Sequence, residues 1–223
     1  MKMSYENAKK GIGQIFTAEI LALLSAIFII IGTILSVIGT ATLIAGGIDG
    51  AEAAMGAGVA GGVVGIIVSF VGAIFSLIGF ILYIVGVGNA AKDEDNFKKA
   101  MLFLVLALVC SIVSAFTTAI PVLAIILKVL GSLFELISTI MVIGGICTLA
   151  NKLGKSEVEQ KGQFVLKLIV VIILLSIVFN LIGLIPTIAT GVIAGILSII
   201  AAVLSIVRYF AYLALLAQAK NMF

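Results

Sequence analysis

The sequence predicts an all-α integral membrane protein: six transmembrane helices arranged as three tandem helical hairpins, with both termini cytoplasmic. Three observations carry this expectation. Gly58, Gly65, Gly72, Gly79 and Gly86 recur at seven-residue spacing inside an apolar run. Hydrophobic residues make up 63% of the 223-residue chain and charged residues only 10%, against about 45–50% and about 25% in soluble domains. The lysines between the apolar runs fall in every second connecting segment.

Seven residues is nearly two helical turns, so the five glycines form one stripe that drifts slowly round the helix. Each Gly costs about 1 kcal/mol against Ala in a soluble helix. Inside a bilayer, apolar burial no longer drives helices together, and small residues let two backbones touch. The stripe therefore predicts a closely packed transmembrane helix.

The first helix is expected over 16–45. Lys2, Lys9 and Lys10 resemble the start of a signal peptide, but the apolar stretch Ile20–Ile38 exceeds the usual 7–15 residues of such a segment. Its stripe is Ala18, Ser25, Gly32, Gly39 and Gly46. The segment Gly46–Gly56, with Asp49 and Glu52, reads as the longest outer turn. The second helix, 57–89, carries the five glycines. A charged loop at 92–99 leads to a third helix at 98–118. Pro121 opens the fourth, 121–150, at a position where a missing N–H costs no hydrogen bond; its stripe is Ala124, Gly131, Ser138 and Gly145. A lysine-bearing stretch at 151–167 precedes the fifth helix, 163–184. Pro186 precedes the sixth, 188–219, with Gly191, Ser198 and Ser205. The apolar runs are long enough to cross a core of about 30 Å at 1.5 Å per residue. The hairpins, 16–89, 98–150 and 163–219, form a single membrane domain.

The hairpins read as internal repeats. A shift of 65 aligns Ser111-Ile112-Val113 with Ser176-Ile177-Val178, and Ile120-Pro121 with Ile185-Pro186. A shift of 59 aligns Gly72, Phe75, Ile78 and Gly86 with Gly131, Phe134, Ile137 and Gly145. A shift of 85 aligns Leu21-Ala22-Leu23 with Leu106-Ala107-Leu108.

Lysines occupy the N-terminus, the 92–99 loop, the 151–167 stretch and Lys220, while the three opposite turns have none. The positive-inside rule then places both termini and both charged loops in the cytoplasm of a multi-pass cell-membrane protein. The lysines form no patch that would bind nucleic acid. The expected partners are the lipid bilayer and a second copy or other membrane proteins. Cys110 and Cys147 fall toward opposite ends of their helices, too far apart for a disulfide, so both are expected as free thiols.

Lys128, Glu135 and Arg208 are the charges well inside the predicted helices. Intramembrane charges are costly and point to function by default. Lys128 and Glu135 lie within four residues of Gly131, and Arg208 lies three from Ser205, so all three are expected to face protein. Counted from the terminal lysines, Glu135 and Arg208 differ by about one turn in depth, a gap an Arg side chain can span to make an ion pair; depth alone does not decide whether they pair. Lys128 is expected to snorkel to the outer interface. Thr117, Thr118, Ser138 and Thr139 are expected to bond carbonyls one turn earlier.

No His is present, which removes the commonest general base and metal ligand and with it any Ser–His–Asp set or HExxH site. There is no GxxxxGK[ST] phosphate loop. Asp93, Glu94 and Asp95 sit in too short a loop for a calcium site. No catalytic, cofactor or metal site is expected. Three hairpins also invite comparison with mitochondrial-type carriers, but Pro121-Val-Leu-Ala-Ile-Ile and Pro186-Thr-Ile-Ala-Thr-Gly lack both charges of the carrier signature.

Ser76-Leu-Ile-Gly-Phe-Ile-Leu-Tyr followed by Ala90-Ala-Lys-Asp-Glu-Asp-Asn-Phe-Lys-Lys-Ala-Met-Leu resembles a mostly archaeal family of prokaryotic membrane proteins, domain of unknown function 996. The likeness is clearest over about 70–105. It implies a Gly-rich helix, a short acidic loop and a helix opened by an aromatic, a basic and a small residue; no activity or site residue comes with it. The expected function is that of a non-enzymatic membrane protein working through helix packing with itself or a partner, as a structural, assembly or accessory subunit. The alternative is a small transporter or channel with a path lined by Glu135, Arg208 and Lys128. An intramembrane enzyme working through carboxylates alone is the third reading.

Overall fold

The structure, a computed structural model, describes the backbone outside residues 1–4, 50–51, 118–119 and 184–187; side chains are described outside these and outside 45–57, 121, 175–199 and 201–202. The described residues form six helices and no strand: α1 (Glu6–Asp49), α2 (Glu52–Ala90), α3 (Asp95–Phe116), α4 (Pro121–Lys152), α5 (Ser156–Gly183) and α6 (Ile188–Lys220). Five of them contain segments long and apolar enough to cross a membrane: Glu6–Ile44, Gly58–Ala90, Asp95–Phe116, Val122–Lys152 and Val203–Lys220. These are the properties of a multi-pass membrane protein. Two compact units divide the chain, one of Gln14–Val85 and one of Met1–Gly13 with Gly86–Phe223.

The unit of 14–85 is an antiparallel helix pair built on the small-residue stripes. Gly32 faces Gly65, Gly39 faces Gly58 and Gly62, Ser25 faces Gly72, and Ala18 faces Gly79. Each step of seven along α1 matches a step of seven along α2, so one register runs the length of the seam. The approach is backbone to backbone. A methyl group at Gly65 would stand 2.6 Å from the Gly32 carbonyl oxygen, and one at Gly39 would stand 2.8 Å from the Gly58 carbonyl oxygen. Ser36 packs against Gly65, and Ser69 against Gly32. Phe28 and Phe75 stack tilted beside the seam with ring centroids 5.5 Å apart. The large apolar side chains point away from it; Ile66, Phe70 and Val37 are exposed, as they are when lipid is the solvent.

The second unit repeats this construction in α3 and α4. Ser114, Ala107 and Ala100 on α3, seven apart, face Ala124, Gly131 and Ser138 on α4, and all are buried. Two hydroxyls lock the register from opposite helices: Ser138 Oγ donates to the Ala100 carbonyl at 2.9 Å, and Ser114 Oγ to the Ala124 carbonyl at 3.2 Å. Ser138 was expected to bond its own helix; it crosses instead, because the facing carbonyl lies within hydrogen-bond reach across so close a seam. Thr117 and Thr139 do bond one turn back, to Val113 and Glu135, and Thr118 lies outside the described residues. At the lysine-bearing end, Gly145 gives way to the ring of Phe97. The stripe of α6 is described only at Ser205, which is half-buried; Gly191 and Ser198 lie outside the described side chains.

The N-terminal lead and two connections are shorter than the sequence predicts. Helix α1 begins at Glu6 rather than 16, because Ala8, Gly11, Ile12 and Ile15 bury one face at helical spacing. The expected turn at 46–56 is helical up to Asp49 and again from Glu52; Glu52-Ala53-Ala54-Met55 are all good helix formers. Helix α5 begins at Ser156 rather than 163. Glu157 and Glu159 stand in its first turn, where carboxylates complement the helix dipole, and Val158, Gly162, Val165 and Ile169 bury one stripe. The turn before it is set by Gly154, the residue with positive φ (69°). Its N–H reaches the Asn151 carbonyl at 3.0 Å and Lys155 N–H reaches the Ala150 carbonyl at 2.8 Å, the paired bonds of a Schellman motif that ends α4.

The seam makes a graded prediction. Gly32→Ala and Gly65→Ala force backbones apart and should each destabilise the protein by about 1–3 kcal/mol, the usual scale of overpacking. Gly131→Ala should be neutral or stabilising by up to about 1 kcal/mol through helix propensity, since its nearest neighbours would be 3.5 Å from the added methyl. Thermal unfolding in detergent measures the order. Equal stability of Gly65→Ala and Gly131→Ala would remove the close-seam account.

Candidate functional site

The polar groups of the second unit concentrate at two levels. The first is the lysine-bearing end, where the 91–94 turn meets α1 and α4. Asp93 is placed by the turn bonds Asp93 N–H to Ala90 and Lys92 N–H to Asn89. Its carboxylate accepts from Ala8 N–H at 2.7 Å and from the Asn7 side chain at 3.1 Å. The first N–H groups of a helix have no partner within it, so Asp93 does for α1 what a local cap residue does elsewhere. Glu94 is 8% exposed and meets Lys152 Nζ at 2.6 Å. Asn96 donates to Thr148 Oγ1 at 3.2 Å, and Asn151 to Glu159 at 3.2 Å. Asp95 pairs only locally, with Lys98 at 2.7 Å, and both side chains are exposed.

The three acids of the loop thus have three separate tasks, and no group of three metal-ligating side chains occurs among the described residues. Sequence reasoning missed this clasp. A signal was available, since Glu94 and Lys152 carry opposite charges at the two ends of an antiparallel hairpin.

The second level is the interior of the helices. Lys128 and Glu135 are exposed on α4, and Arg208 is half-buried on α6. The expectation that all three face protein fails for Lys128 and Glu135. The α3 contact covers a narrow stripe of α4, and residues 128 and 135 stand about 40–60° to one side of it. Farther along the same line, Val142 and Leu149 are fully buried, so the line emerges into the open between Val142 and Glu135. The ion pair of Glu135 with Arg208 that their depths allow is not formed within the chain; the acidic loop's ion pairs are Lys98–Asp95 and Lys152–Glu94. Matched depth left the direction of each side chain around its helix undetermined. Asn180 lies outside the described side chains. Cys110 and Cys147 are both free thiols; Cys110 lines the α3–α4 seam beside Gly131, and Cys147 packs on Gly162.

Two cavities of about 590 Å³ accompany these features. One runs along the first helix pair, lined by Thr33, Ser36, Thr40, Ser69 and apolar neighbours. The hydroxyls of Thr33 and Thr40 are already donated to Ile29 and Ser36 carbonyls, each at 2.8 Å. The other lies at the lysine-bearing end among Glu6, Lys9, Lys10, Lys220, Asn221 and Phe223. Neither brings together a nucleophile and a base. No protein-family model, curated protein or solved structure matches the chain.

The clasp carries its own prediction. Lys152→Met strands a buried carboxylate. Removing one member of a buried pair costs about 3–5 kcal/mol, and the half-exposed Lys152 head reduces this to about 2 kcal/mol. Asp95→Asn, at an exposed local pair, should leave stability unchanged. Chemical unfolding of the two variants side by side checks the contrast; equal losses would show that Glu94 does not depend on Lys152.

Proposed function

We propose that this chain is a non-enzymatic structural, assembly or accessory subunit of the cell membrane, acting through helix packing with itself or a partner. It spans the bilayer six times as three tandem hairpins, with both termini cytoplasmic and with the domain of unknown function 996 family as its kin. The single observation that carries this reading is the seam. The first helix pair closes backbone on backbone, and in the second the seam hydroxyls of Ser114 and Ser138 are spent on carbonyls of the facing helix, an arrangement suited to fixed packing. The descent of the hairpins from one ancestor is supported by the shared seven-residue register of small residues on α1, α2, α3 and α4. Lysine placement supports the orientation.

Two measurements test the reading. In a background with Cys110 and Cys147 replaced by Ala, cysteines introduced at Asp49 or Thr190 should react with an impermeant thiol reagent on whole cells, while those at Asn96 or Ser156 should not. Liposomes carrying the protein should pass protons and small ions no faster than empty ones. Flux that Glu135→Gln or Arg208→Gln abolishes without loss of stability would replace the packing reading with the transport one.

A further inference from the structure

Glu135 and Arg208 pose a problem that this chain alone leaves unsolved. Glu135 lies seventeen residues from Lys152 and fourteen from Pro121, near the middle of a helix about 48 Å long. Its side chain is exposed, so in a bilayer it would meet hydrocarbon. Snorkelling does not rescue it. Helical side chains lean toward the helix N-terminus, and that end is about 21 Å away. Arg208 lies twelve residues from Lys220 and leans away from the nearer end of its helix for the same reason. Lys128 differs: it leans toward an end only about 10 Å off and reaches the interface along its own stem.

The structure also sets the relative depth of the two charges. A methyl group at Gly162 would touch Cys147 of α4 and Leu215 of α6, so these residues share one level, and the two lysine-bearing helix ends lie on the same side. From that level Glu135 lies about 18 Å along α4 and Arg208 about 10 Å along α6. The difference is about one turn, within the reach of an Arg side chain leaning in that direction. Within the chain α5 packs against both helices, and its residues at this level, Val171 to Leu174, are all apolar. The two opposite charges therefore lie about one turn apart in depth, within the span of the Arg208 side chain, and are unpaired with each other.

We propose that a second copy of this chain docks on the α4 and α6 faces, so that Glu135 of one protomer accepts hydrogen bonds from Arg208 of the partner subunit. A copy standing in the same orientation keeps that depth difference, so Arg208 reaches up its own stem to the level of the partner's carboxylate with no axial shift of the chain. A two-fold axis along the membrane normal makes both pairs at once. Each guanidinium–carboxylate bond forms in a medium of low dielectric, where such a bond is strong. This deepens the packing function proposed above and rests on it, by naming the partner.

Charge reversal in separate chains tests the pairing. Wild-type protein in lipid nanodiscs or mild detergent should show twice the chain mass by native mass spectrometry. Glu135→Arg alone and Arg208→Glu alone each place like charges in both pairs, and each should lower the dimer fraction by about tenfold or more. Co-expressing the two variant chains restores both opposite-charge pairs in a mixed dimer only if the contact is between chains, so the mixed species should return to the wild-type level. If a reversed chain does not accumulate alone, recovery of its folded yield on co-expression reads the same contact. A monomeric wild type, unchanged dimers in both variants, or a co-expressed pair that fails to associate would overturn the proposal. A monomeric wild type without flux would remove the second copy as partner while leaving the packing function standing.

Discussion

The constraint on which the rest depends is the weakness of the hydrophobic effect between helices that are already solvated by lipid. With no gain from burying Ile or Phe, what remains is dispersion between closely packed backbones and the few hydrogen bonds that cross them. Both fall off within an ångström or two, so they act only where side chains are absent or tiny. The seven-residue placement of Gly, Ala and Ser on α1, α2, α3 and α4 meets that requirement. It also explains the inside-out distribution of bulk, in which Phe70 and Phe116 face outward while Gly65 and Gly131 are buried.

This constraint decided what could be read from the residues. The stripe on α2 and its partner on α1 were legible because Gly is rare in helices unless something needs it. The equivalent stripe on α3, Ala100, Ala107 and Ser114, was not, because Ala and Ser are ordinary in so apolar a chain and carry no such signal. Helix starts at Glu6 and Ser156 were missed for a related reason. Their first turns are polar and read as loops, whereas Asp93 from far along the chain completes one of them and Gly154 shortens the turn before the other. For Glu135 and Arg208, residue counting gave depth but not azimuth, and the pairing depended on both.

The polar groups divide according to the solvent they meet. At the lysine-bearing end, water is near and carboxylates can be spent on positioning: Asp93 on the start of α1, Glu94 on the end of α4. Those contacts tie the first and fourth helices to one short turn, and the buried core of the second unit, with Phe97, Ile143, Ile146, Leu149 and Leu215, lies beside them. Deeper in, each unneutralised charge is a liability, and the sequence keeps very few.

The Asp93 contact has a consequence for biosynthesis. Ala8 and Asp93 are 85 residues apart, and the ribosome makes them in that order. The stripes of α1 and α2 can match once both helices are made, but the cap that Asp93 gives the opening turn of α1 forms only after the segment following α2 has emerged. The opening turn of α1 is therefore completed by a residue made after the whole of α2.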